Sequence, residues 1–157
     1  MRLTARHWMM LAAAGSAALM LGALAFQHIG GMAPCKLCIW QRWPHVAAIG
    51  VGVLALAAVL PRRLLAGLGA LAAMATAGIG AYHTGVERGW WEGPSSCSGG
   101  GAAGQSAQDL FAQIMTAPLV RCDEVPWEML GLSMASWNAV VSLGLAGLWL
   151  MAWRAAD

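Results

Sequence analysis

Charged residues are scarce in this chain. Of 157 residues, nine are Lys or Arg and seven are Asp or Glu, so 10% are charged while 59% are hydrophobic. An ordinary globular domain carries about a quarter charged residues, and this sequence therefore excludes a fully solvated surface. Intrinsic disorder is excluded as well, because the mean hydropathy is +0.62 and the net charge only +2. The composition predicts a membrane protein.

The few charges leave four long stretches without any. Each stretch has at least 19 residues, and about 20 apolar residues cross a hydrocarbon core of about 30 Å. A soluble bundle of buried helices would need a polar outer layer, and no sequence remains to build one. We predict an all-α membrane protein, a single domain over residues 1–157, with four transmembrane helices. The predicted spans are 8–29, 43–60, 64–84 and 130–153.

Basic residues indicate the orientation of these spans. By the positive-inside rule, the side that carries five arginines is cytoplasmic. Both termini are then cytoplasmic, and loops 30–42 and 85–129 lie on the opposite side. The second loop contains a Gly-rich segment, 98–104, that predicts a flexible hinge, and a stretch near residues 124–129 that suits a short interfacial helix. The arginines are Arg2, Arg6, Arg62, Arg63 and Arg154.

The first span has a competing interpretation as a cleavable signal peptide, since arginines precede an apolar run. That run extends from His7 to Phe26, which is longer than the 7 to 15 residues usual for a signal-peptide core. We therefore expect an uncleaved first helix.

The four cysteines all fall on the extracytoplasmic side. Cys35 and Cys38 form a Cys-x-x-Cys in the first loop, and Cys97 and Cys122 lie in the second. Disulfides persist in such a compartment, and a Cys-x-x-Cys pair is more typical of thiol–disulfide exchange than of a structural bridge. Redox chemistry is favoured, while two structural disulfides or a zinc site stay open as alternatives.

Arg42 supports the redox interpretation, because it follows Cys38 by one helical turn and a nearby cation favours a thiolate. An anchor for lipid headgroups is the alternative for this residue. Pro44 is unfavourable inside a helix, so the turn that holds Cys38 and Arg42 is expected to be separate from the second span or kinked against it.

These motifs resemble the DsbB family, membrane thiol oxidases that pass electrons to quinone. The resemblance covers nearly the whole chain in order, and the Gly-rich segment after Cys97 departs from the family pattern. Its matching segments are Phe26-Gln27-His28, Pro34-Cys35-Lys36-Leu37-Cys38 with Gln41-Arg42, His83-Thr84, and Cys122 through Trp127, Leu130-Gly131-Leu132, Met134 and Trp137.

The resemblance implies a role for each cysteine. Cys97 and Cys122 would form the disulfide that oxidises a periplasmic thioredoxin-fold partner resembling DsbA, with Cys97 taking the mixed disulfide. Cys122 would then attack Cys35, releasing Cys38 as a thiolate beside the quinone. Donation from Cys38 to the ring and renewal of the Cys35–Cys38 bond would complete quinone reduction.

The resemblance also implies the surroundings of this chemistry. The protein would reside in a bacterial inner membrane and use ubiquinone or menaquinone, with Arg42, His83 and Met134 near the quinone and no metal. An interfacial histidine and a packing methionine are the alternatives for His83 and Met134. For the whole protein, the alternatives are a non-enzymatic scaffold with structural disulfides and a reductant of periplasmic disulfides.

Overall fold

The computed structural model describes residues 3–94, 97, 108 and 120–156. Within these residues it contains four long helices and one small hairpin. Strands β1 (Glu128–Met129) and β2 (Leu132–Ser133) pair antiparallel. The helices are α1 (Ala5–His28), α2 (Lys36–Ala57), α3 (Arg62–Glu87) and, after the hairpin, α4 (Met134–Arg154).

Three of these helices, α1, α3 and α4, are long and apolar enough to cross a membrane. They correspond to the first, third and fourth predicted spans. The remaining helix, α2, has 22 residues, one more than α4. Its first half carries Gln41, Arg42 and His45, and these polar side chains lower its hydropathy. The helical prediction is confirmed, and length with hydropathy identifies three candidate spans among the described residues.

Helix α2 begins at Lys36 because Cys35 caps it. The Cys35 Sγ accepts a hydrogen bond from the backbone N–H of Cys38 at 3.1 Å, which satisfies one of the free donors in the first turn. Pro44 lies inside the helix, which continues past it to Ala57. The cysteine pair and Arg42 thus belong to the same helix as residues 43–57, and the separate turn expected from Pro44 is not formed.

Small residues let the helices pack closely at the end of the bundle remote from the cysteines. Helix α3 buries Ala66, Ala73 and other alanines against its neighbours. A Cβ at Gly69 would overlap the indole ring of Trp149, a fully buried side chain of α4. Close backbone approach of this kind is what holds helices together in lipid, where no hydrophobic force acts between them.

The β1–β2 hairpin ties the second loop to the ends of α3 and α4. Its turn holds Leu130 and Gly131 at positive φ, 55° and 76°, and Arg88 donates to the Gly131 carbonyl at 3.2 Å. Trp137 donates its indole N–H to the Met129 carbonyl at 3.0 Å. Ser133 then caps α4 by accepting from the Ser136 N–H. This helix therefore begins at Met134, four residues after the start of the predicted span 130–153.

The short interfacial helix predicted near residues 124–129 is not formed there. Residues 124–127 form bends and irregular chain and lead into β1. The Gly-rich segment 98–104, predicted as a hinge, lies outside the described residues.

Candidate functional site

The structure brings the two cysteine pairs into one buried cluster. The Sγ atoms of Cys35 and Cys38 lie 2.6 Å apart as free thiols. Cys97 and Cys122 form a disulfide whose Cα atoms are 5.1 Å apart. Cys35, Cys97 and Cys122 are each at most 4% exposed, and Cys38 packs against them. The four cysteines singled out in the sequence therefore meet at one place.

The two thiols of the Cys-x-x-Cys pair differ in acidity, and both lie before the predicted interval 43–60. The hydrogen bond between them is the largest cause: it lowers the pKa of Cys38 and raises the pKa of Cys35. Burial raises the pKa of Cys35 further, and the positive charge of Arg42 adds a smaller lowering of the Cys38 pKa. Cys38 is thus the more acidic thiol of the pair and forms a thiolate more readily than Cys35.

His83 lies between the two pairs. Its Nε2 is 3.1 Å from the carbonyl oxygen of Cys122 and 3.6 Å from the Sγ of Cys35, and the residue is 3% exposed. A carbonyl only accepts, so the Nε2 atom carries a proton in this contact. The same atom is 3.9 Å from Glu87 Oε1, one turn further along α3. His83 therefore contacts both cysteine pairs, through the backbone of Cys122 and the sulfur of Cys35.

The structure also tests the geometry of a metal site. The ligand atoms of Cys35, Cys38 and His83 lie within 4.8 Å of one another. This set differs from the two cysteine couples expected for structural zinc. The set offers three ligand atoms, one fewer than the four of a structural zinc site. The arrangement is suited to thiol chemistry.

A cavity of about 610 Å³ opens beside the thiols. Cys35 and Cys38 line it together with Arg42, His83 and Met134, the three residues predicted near a quinone. Most of its remaining wall is apolar and includes the tilted ring pair of Phe26 and Trp127, whose centroids are 5.3 Å apart. Such a concave, mostly apolar site with a few polar groups is typical of small-molecule binding.

The residues present fit a quinone headgroup, which has an apolar ring and two carbonyl acceptors. Arg42 donates through Nη1 to Gln27 Oε1 at 2.6 Å. Its Nε is buried and has no hydrogen-bond partner among the described residues. A buried N–H donor without an acceptor is costly unless a ligand supplies one.

Sequence reasoning missed the polar side chains behind His83. Gln41 Nε2 is 2.9 Å from His83 Nδ1, and Asn138 Nδ2 is 2.7 Å from Gln41 Oε1. His45 and Thr76 extend this network into the bundle. The available signal was the presence of polar residues next to or within charge-free stretches, since such groups in membrane helices face the interior and mark functional sites.

A membrane helix bundle that holds one disulfide and a second thiol pair beside an apolar cavity defines the class of membrane thiol–disulfide proteins. The comparisons with known proteins agree. The family model described as "Disulfide bond formation protein DsbB" matches residues 5–152. The chain belongs to this family.

Several curated relatives carry the name "Disulfide bond formation protein B". The one from Polaromonas naphthalenivorans is 33% identical over 162 residues, covering 94% of this chain and 91% of the relative. The one from Methylococcus capsulatus is 33% identical over 150 residues, covering 90% and 89%. The Stutzerimonas stutzeri protein is 32% identical and covers 90% of both. No solved structure matches the chain at a significant level.

Proposed function

We propose that this protein oxidises a periplasmic dithiol protein of thioredoxin fold, resembling DsbA, and passes the electrons to quinone in the bacterial inner membrane. This activity would sustain disulfide formation in other proteins. The observation that carries the proposal is the meeting of both cysteine pairs at the wall of one apolar cavity. A structural staple would need neither the cavity nor the free thiol pair.

The exchange begins at the Cys97–Cys122 disulfide. A partner thiolate attacks Cys97, forms a mixed disulfide and releases Cys122 as a thiolate. The partner's second thiolate then displaces Cys97 and leaves the partner oxidised. Cys122 meanwhile attacks Cys35 of an oxidised Cys35–Cys38 pair, which releases Cys38 as a thiolate. Each step exchanges one sulfur–sulfur bond for another, so two electrons move from the partner toward the cavity.

One further exchange completes the transfer of electrons to the Cys35–Cys38 pair. When Cys97 attacks Cys122 of the Cys35–Cys122 bond, the Cys97–Cys122 disulfide is restored and Cys35 and Cys38 remain as a dithiol. The structure has this combination of one disulfide and two free thiols. Cys38 lines the cavity, and its lowered pKa favours its reaction there as a thiolate.

Three residues would hold the quinone. The guanidinium N–H groups of Arg42 suit a quinone carbonyl, His83 presents an imidazole to the same cavity, and Met134 adds a polarisable apolar contact. A bound quinone would supply an acceptor for the two electrons released when Cys35 and Cys38 rejoin. Cys35 gives up one proton in this step, and the second is the proton that Cys38 lost on forming its thiolate. The apolar walls exclude water from the thiols.

The helix arrangement supports four spans. Cys35, at the start of α2, contacts His83, near the end of α3, and only residues 58–61 connect these two helices. Helix α2 therefore runs antiparallel to α3, and its residues 43–57 form the remaining span, as predicted for the interval 43–60. With the arginines on the cytoplasmic side, both cysteine loops are periplasmic.

Turnover of the purified protein tests the proposal. Wild-type protein in detergent is mixed with a reduced DsbA-like partner and a short-chain ubiquinone or menaquinone, and quinone absorbance is followed. We expect quinone reduction in step with loss of partner thiols, and no reduction by a variant with all four cysteines replaced by alanine. Absence of turnover with both quinones, or equal turnover without cysteines, would contradict the proposal.

A further inference from the structure

Gln41 is held in one orientation at the back of the site. It is 6% exposed, and its Nε2 lies 3.3 Å from the carbonyl oxygen of Leu37, one turn earlier in α2. A carbonyl only accepts, so the amide nitrogen is the end that faces it. The same nitrogen is 2.9 Å from Nδ1 of His83. Gln41 consequently donates to His83.

Asn138 of α4 fixes the other end of the Gln41 amide. Its Nδ2 donates to Gln41 Oε1 at 2.7 Å and to Thr76 Oγ1 at 3.1 Å. The Thr76 hydroxyl donates its proton to the backbone carbonyl oxygen of Gln41 at 3.0 Å, so the hydroxyl oxygen can accept from Asn138. Asn138 Oδ1 accepts from His45 Nε2 at 2.9 Å. Donors and acceptors alternate consistently through the network, which supports a single orientation for each amide.

The direction of these bonds determines the tautomer of His83. Because Gln41 donates to Nδ1, that nitrogen is an acceptor, and the proton of the neutral ring sits on Nε2. Nε2 is the atom that faces the Cys122 carbonyl and the Cys35 sulfur. The network therefore presents an N–H donor to both residues that exchange bonds between the two pairs.

We propose that Gln41 is a positioning residue that acts through His83. Its amide holds the His83 proton on Nε2, where the N–H aligns the Cys122 backbone with Cys35 and stabilises negative charge on the Cys35 sulfur. This inference deepens the proposed function and rests on it, since the alignment matters when Cys122 and Cys35 join. Asn138 sets the direction of the Gln41 amide and needs no contact with the reacting atoms.

The protonation of the His83 ring nitrogens tests this proposal without turnover. The full-length protein is labelled with ring-¹⁵N histidine in detergent micelles, without quinone or partner, and the His83 signals are identified by their loss in His83→Gln. We expect Nδ1 unprotonated and Nε2 protonated in the wild type. In Gln41→Glu a carboxylate faces Nδ1 and only accepts, so Nδ1 gains a proton. Ser142→Ala is the matched control, because the Ser142 hydroxyl is buried one turn beyond Asn138 without a partner among the described residues.

A protonated Nδ1 in the wild type overturns the proposal, as does an unprotonated Nδ1 in Gln41→Glu. Should Gln41→Glu fail to fold, Gln41→Met replaces it: this side chain cannot donate, and a fraction of His83 must then carry its proton on Nδ1. A single Nε2-protonated form in Gln41→Met would show that Gln41 does not set the tautomer. These spectra are recorded without quinone or partner, so a wrong tautomer would contradict the role of Gln41 but not the proposed function. The proposed function would be contradicted only by the turnover assay.

Discussion

The two cysteine pairs are built in different ways. Cys35 and Cys38 are three residues apart on the first turn of a helix, and the helix itself sets the distance between their sulfurs. Cys97 and Cys122 are separated by 25 positions. Within the described residues, the Cys97 N–H donates to the Pro94 carbonyl and the Cys122 N–H donates to the Cys97 carbonyl. The Cys122 carbonyl accepts from His83 Nε2.

This difference separates two requirements of thiol exchange. A pair on a helix has a fixed geometry and a fixed electrostatic environment, so its acidity is determined locally. A pair closed across a loop takes its geometry from its own bond and a few distant contacts. A thiol pair that reacts at a fixed cavity needs a rigid backbone. A disulfide that exchanges with another protein is less dependent on one.

The largest effects on activity are expected from single cysteine variants, one in each pair. We expect Cys38→Ala and Cys97→Ala each to lower steady-state turnover by about 10³-fold or more, as is usual when a nucleophile is removed. After chemical reduction, however, Cys97→Ala should still reduce quinone once, while Cys38→Ala should not. Rapid-mixing absorbance of the quinone measures this half-reaction. If Cys97→Ala also lost it, the two pairs would not be separable.

A smaller effect is expected on the pKa of Cys38, the more acidic thiol of the helical pair. The hydrogen bond from Cys35 and, more weakly, Arg42 lower the Cys38 pKa, so its thiolate should persist below the usual thiol pKa of about 8.5. Cys35→Ala should shift the alkylation profile of Cys38 to higher pH, and Arg42→Gln should shift it less in the same direction. Alkylation of Cys38 is followed by mass spectrometry as a function of pH. A larger shift in Arg42→Gln would reverse the assigned order of causes.

The smallest effect on redox chemistry is expected from the remote end of the bundle. Trp149→Ala removes a fully buried ring that packs on Gly69, and we expect a loss of about 3–5 kcal/mol in stability. The first-turnover rate with quinone should change little at a temperature where the variant is folded. Thermal unfolding in detergent measures the stability, and Leu150→Ala is the control, because Leu150 is 50% exposed on the same helix. An equal loss in both variants would show that packing on Gly69 is unimportant.

Hydropathy and charge predict the helices well, because a long apolar segment is stable in the hydrocarbon core whichever helices it packs against. They do not predict where α2 begins, since that boundary is a local hydrogen bond between Cys35 and Cys38. They also miss the β1–β2 hairpin. Leu130 and Leu132 are apolar and resemble the start of a span, but Leu130 lies in the positive-φ turn and Leu132 in β2, and α4 begins only at Met134.

The candidate site shows the same division. The Cys-x-x-Cys spacing and the nearby Arg42 are local patterns, so their chemistry is visible in the sequence. The contact between Gln41 and Asn138 joins residues 97 positions apart, and no periodicity predicts such a pair. The contact forms only because α2 and α4 pack together in the bundle.

The hairpin before α4 has a consequence for the range of Cys122. Its turn accepts a hydrogen bond from Arg88, which follows α3, and β1 accepts one from Trp137 of α4. Only six positions separate Cys122 from Glu128, the first residue of β1. An extended chain of that length reaches at most about 20 Å. A Cys122 thiolate would thus be tethered near Cys35 at a high effective concentration, whatever the partner does to Cys97.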